Sequence, residues 1–125
     1  MTYDRYHGTQ IEYHNRNGVS HLWYPGNASG VPARWRVKVY DAGGHAICWR
    51  YPNSSYNPVT NLQGGSEECT TDTFYFPSVV QILDGDHFKL DTGKVPFRLP
   101  KGQFAAEELA LRAGLPKPRT IYESQ

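Results

Sequence analysis

At 125 residues the chain is expected to form one domain, residues 1–125, around a single core. A formal net charge of +1 argues against the broad basic field that nucleic-acid or anionic-membrane binding needs, and no run of 18 apolar residues predicts a membrane span. Twelve Gly and nine Pro, with nine Tyr, five Phe and three Trp, favour many short aromatic strands over long helices.

No basic-then-apolar leader opens the chain as written. With Met1 as the native start the protein is expected in the cytoplasm; with a leader removed it is periplasmic or secreted.

Thr9–Arg16 and Val19–Tyr24 alternate around Asn17-Gly18, which predicts a hairpin with a two-residue turn. That register opposes His14 to His21. It places Glu12, His14, His21 and Trp23 on one face and Ile11, Tyr13, Leu22 and Tyr24 on the apolar one. Opposed Cβ atoms lie about 4.5–5.5 Å apart. His14 and His21 are therefore a candidate pair for one divalent metal ion, with Glu12 as a third ligand. The plainer reading is two surface imidazoles. Residues 25–32 form a Gly/Pro/Asn/Ser loop.

Arg34–Tyr51 reads as the central hairpin. With Tyr40 opposite His45 across a four-residue loop, Trp35, Val37, Val39, Ala46 and Cys48 share one face, and Trp35 is expected in the core. The long polar segment 52–66 follows, bracketed by Cys48 and Cys69. A bridge between the two would close it and stabilise by roughly 3 kcal/mol; two buried, reduced thiols are the alternative.

Glu67–Phe76, Val79–Leu83, His87–Leu90 and Lys94–Leu99 read as further strands, the last made an edge or a bulge by Pro96. Gln103–Ala113 is the one predicted helix. Its acidic residues come early, Glu108 pairs with Arg112, Phe104 and Leu111 share a stripe, and Gly114 stops it. Residues 117–125 form an extended tail. About eight short strands and one late helix make an antiparallel barrel or sandwich.

Several motifs resemble small uncharacterised exported (periplasmic-type) β-proteins of Gram-negative bacteria. These are Asn17-Gly18, Trp35-Arg36-Val37, Cys48-Trp49-Arg50-Tyr51-Pro52, Cys69 and Gly85-Asp86-His87-Phe88. The resemblance spans roughly residues 8–99 and implies an exported, disulfide-linked β-domain. Gly8-Thr9-Gln10-Ile11-Glu12-Tyr13 is also similar to the opening hairpin of phenolic acid decarboxylases, which are lipocalin-like barrels. Asn15 stands where that family has a second tyrosine, and its catalytic Arg and Glu have no clear counterpart here. Together these readings predict a mainly β fold, a small antiparallel lipocalin-like barrel or sandwich with a C-terminal helix.

Tyr13, Tyr24, Trp35 and Tyr51 are candidates to line the barrel mouth, with Arg36 or Arg50 available to pair with a ligand carboxylate. No zinc motif, phosphate-binding glycine loop or Ser/His/Asp order occurs, and no cofactor is expected. The expected function is binding of a small apolar or aromatic ligand, or of a protein partner, without catalysis. Two alternatives stand beside it. One is a barrel enzyme of lyase or isomerase type using Tyr13, His14 and Arg50. The other is a structural envelope protein.

Overall fold

The computed structural model describes residues 1–57 and 59–124. Pro58 of the 52–66 segment and Gln125 of the tail lie outside the described residues. Six strands form one antiparallel sheet: β1 (Thr2–Asp4), β2 (Gly8–His14), β3 (Val19–Trp23), β4 (Val31–Val39), β5 (His45–Arg50) and β8 (Glu67–Thr71). Between β5 and β8 the chain folds back as a small hairpin, β6 (Tyr56–Asn57) with β7 (Leu62–Gln63). The six-stranded sheet curls into a half barrel, so the mainly β, barrel-like expectation holds.

Both long hairpins pair one residue out of the expected register, for the same reason. Each has a three-residue loop ending in a glycine at positive φ, Gly18 at 81° and Gly43 at 94°. The Gly18 amide donates to the Asn15 carbonyl, and the Gly43 amide to that of Tyr40. Such a loop matches strand twist by placing a left-handed residue before the returning strand. In the first turn the Asn15 side chain accepts from the amides of Asn17 and Val19, so Asn15 sets the register rather than Asn17-Gly18.

Ile11 therefore faces Trp23, Tyr13 faces His21 and His14 faces Ser20. In the second hairpin Trp35 faces Trp49, Val37 faces Ile47 and Arg36 faces Cys48. A one-residue slip moves a whole strand's set to the other face. Hence Trp35, Val37 and Val39 are not the core; the two valines are 54% and 67% exposed.

The core lies against the first half of the sheet's outer face. Ile11 and Trp23 pack there with Phe88, Leu90, Leu99, Leu109 and Ala110. The Trp23 ring meets Phe88 and Phe97 edge-on, and its Nε1–H donates to the Phe97 carbonyl at 3.0 Å. The segment supplying these partners is irregular, where strands were expected at 87–90 and 94–99. The Asp86 carboxylate accepts from the amides of Leu90 and Asp91, and Lys89 sits at φ 55°, coiling the chain into a short turn over Leu90–Thr92.

The late helix is shorter than expected, α2 spanning Ala106–Arg112 because Ala105 is still extended. It buries Ala106, Leu109 and Ala110, whereas Leu111 points to solvent. The tail pairs as β10 (Thr120–Glu123) with β9 (Gln81–Leu83).

The sulfurs of Cys48 and Cys69 are bonded, joining directly opposed positions of β5 and β8. The strand expected over 67–76 ends at Thr71. Asp72–Tyr75 forms one helical turn (α1), and Phe76–Ser78 a tighter turn around Pro77. This stretch links the two edges of the half barrel: it leaves β8 and reaches β1, where Val79 bridges to Thr2. No helix among the described residues is long and apolar enough to cross a membrane.

Candidate functional site

The corrected register gives the sheet an inner face that lines one open groove of about 990 Å³. Every strand of the sheet contributes alternate residues to it, among them Glu12 and His14 from β2, Trp35 from β4, Ile47 and Trp49 from β5 and Glu68 from β8. Tyr51 follows at the end of β5. The strap between the sheet's edges adds Phe74, Tyr75 and Phe76, and the disulfide-closed segment adds Ser54 to Asn57 and Gly64. That segment is held against the sheet by backbone. The Gly65 amide donates to the Tyr51 carbonyl, and a Cβ on Gly64 would lie 1.8 Å from the Pro52 carbonyl oxygen, so only glycine fits there.

The polar centre of the groove is a chain of four side chains. Glu12 Oε1 lies 2.8 Å from His14 Nε2, the Trp49 Nε1–H points at that same ring nitrogen from 3.1 Å, and the Tyr51 hydroxyl donates to Glu12 Oε2 at 3.2 Å. One proton serves the contact between Glu12 Oε1 and His14 Nε2. With the proton on the ring, Glu12 accepts it and the Trp49 N–H loses its acceptor; with the proton on Glu12, the ring nitrogen accepts from both. Aromatic contacts fix the imidazole further, since Trp35 meets it edge-on at 5.1 Å. The Trp35 Nε1–H donates to the Asn15 carbonyl, locking that indole to the first hairpin.

Burial dominates the electrostatics. It pushes the Tyr51 phenol far above its ordinary value, helped by the Glu12 carboxylate beside it. Tyr75 is pushed up to about 12 by burial and then by Glu12, and the Glu68 carboxyl is raised by burial. Neither phenol ionises near neutral pH, so both act as hydrogen-bonding, apolar-faced groups.

The sequence candidates divide between the two faces. Tyr24, Trp35 and Tyr51 line the groove. Tyr13 packs against the core on the outer face. Arg36 and Arg50 are also on the outer face: Arg36 forms a two-pronged ion pair with Glu67, and Arg50 donates to the Gly65 carbonyl. Neither arginine reaches the groove to meet a ligand carboxylate. The catalytic set Tyr13, His14 and Arg50 accordingly contributes only His14 to the groove. The metal set is split too. Glu12 and His14 touch, but His21 lies opposite Tyr13 on the other face because of the three-residue turn. Cys48, Cys69 and Glu67 do cluster, but both sulfurs are committed to the disulfide.

Trp49, Glu68 and Tyr75 are groove residues that sequence reasoning did not single out for ligand contact. For Trp49, the alternation of Ile47, Trp49 and Tyr51 along and just past β5 carried that signal. No family model, curated protein or solved structure matches the chain.

Proposed function

We propose that this chain is a small binding domain whose groove takes a small apolar or aromatic ligand, without catalysis. One observation carries the reading: the inner face of all six strands, two tryptophans included, lines a single open groove of about 990 Å³. That volume suits a drug-sized ligand, and aromatic walls with a few fixed polar groups are the usual make-up of such sites. A hollow interior supports binding over a purely structural envelope role. The Cys48–Cys69 bridge suits an oxidising compartment and supports export to the periplasm or the exterior.

The test is titration with the neutral fluorophore phenylnaphthylamine, which brightens on entering an apolar site. Saturable enhancement is expected for the parent, with affinity reduced about tenfold or more in Trp49→Ala. Absence of saturable binding, or equal binding by the variant, would refute the proposal.

A further inference from the structure

We infer that the groove's ligand is an organic cation, a quaternary or protonated amine on an apolar or aromatic body, seated at Glu68 against the Trp49–Tyr75 aromatic pair. This rests on the ligand-binding reading above and adds the ligand's charge to it.

The distribution of charge comes first. The groove's acidic lining is Asp4, Glu12 and Glu68, and among the described residues no Lys or Arg lines it. The chain has 13 such cations. The strand pairing turns the Arg34, Arg36, Lys38 and Arg50 positions to the outer face. The Met1 amine also lines the groove, but burial lowers its pKa to about 6, so it is mostly uncharged above neutral pH. A ligand carboxylate would thus meet mainly carboxylates, whereas an ammonium would meet attraction.

The second observation is that two of the three carboxylates are already matched. Asp4 holds the His7 ring at 2.7 Å, and Glu12 holds His14 and the Tyr51 hydroxyl. Glu68 has no hydrogen-bond or ion-pair partner among the described residues, although it is partly buried. A carboxylate partly withdrawn from water without a partner carries some desolvation cost, which an incoming cation offsets.

Third, the aromatic walls stand beside that carboxylate. Glu68 is directly opposed to Trp49 across β5 and β8, and the Trp49 and Tyr75 rings lie 5.6 Å apart. Both rings are electron-rich surfaces of the kind a cation seeks. Electron-rich rings close to a carboxylate suit the recognition of alkylammonium groups. A neutral aromatic gains only the walls.

Two probes of one shape separate the charge from the shape: phenyltrimethylammonium and tert-butylbenzene, each competed against phenylnaphthylamine. The cation should displace the fluorophore at about tenfold lower concentration than the hydrocarbon. Glu68→Gln should cut the cation's advantage to about threefold or less, the remainder coming from the aromatic walls, with far-UV circular dichroism matching the parent's to show that the fold is intact. Equal displacement by both probes in the parent would overturn the inference and leave the ligand-binding reading standing. So would failure of both to displace a fluorophore that binds, or a preference for the cation that Glu68→Gln leaves undiminished. A parent that binds no fluorophore would overturn both.

Discussion

Truncating Trp23 and Trp35 separately tests which face of the sheet is core. Trp23 is fully buried, touches Phe88 and Phe97, and satisfies the Phe97 carbonyl. A large-to-small change at such a site costs about 3–5 kcal/mol, and the orphaned carbonyl places Trp23→Ala at the upper end, about 5 kcal/mol. At about 2 cal/mol/K of unfolding entropy per residue, this lowers the melting temperature by roughly 15–20 °C. Trp35 lines the groove and is only partly buried, so Trp35→Ala gives up the His14 contact, the bond to the Asn15 carbonyl and part of its burial. Its cost should be about 1–2 kcal/mol, or roughly 4–8 °C. Thermal unfolding followed by far-UV circular dichroism, with urea titration for the free energies, measures both. A Trp35→Ala variant as destabilised as Trp23→Ala would show that the sheet is inside out.

Removing the disulfide with Cys48→Ala should cost about 3 kcal/mol and roughly 10 °C, because the bridge spans a sequence separation of 21. Alkylation mass analysis of unreduced, unfolded parent should find no free thiol, and two labelled cysteines would contradict the bridge. For Glu68, burial raises the folded-state carboxyl above its unfolded value. The folded protein then binds that proton more tightly, so stability falls as pH rises through the unfolded carboxylate range toward the folded value. Glu68→Gln should consequently melt higher than the parent at about pH 7 and equally at about pH 3, and a lower melting temperature at the higher pH would refute the cause. Calorimetric zinc titration at about pH 7.5 should give the same heats for parent and His21→Ala, since His21 is on the face away from Glu12 and His14; a loss of heat in the variant would contradict the register.

The sequence revealed the strands more readily than their faces. Alternation located β2 to β5, and the cysteine pair bracketing the long loop pointed to the bridge that joins β5 to β8. Register was hidden because it depends on loop length, and Asn17-Gly18 and Asp41-Ala42-Gly43-Gly44 each admit more than one loop. The choice was made by the Asn15 side chain in one turn and by a left-handed Gly43 in the other. Strands with apolar residues on both faces gave no independent check: Trp35 and Val37 read as core as plausibly as Trp23 does. The one-residue error in each hairpin had chemical consequences, since it opposed His14 to His21 and placed Trp35 in the core. The partners of Trp23 were least legible, because residues 86–99 pack through a coiled segment fixed by Asp86 rather than through any repeating pattern.

The central claim is that the face bearing Trp35 and Trp49 binds the ligand while the face bearing Trp23 is core. The chain's three indole N–H groups report on it separately: Trp23 donates to the Phe97 carbonyl, Trp35 to the Asn15 carbonyl and Trp49 to His14. Titrating phenylnaphthylamine into nitrogen-15-labelled protein and following these signals by NMR should move the Trp35 and Trp49 indoles saturably and leave Trp23 in place. Movement confined to Trp23, or no movement in any of the three, would contradict the assignment of the groove as the binding site.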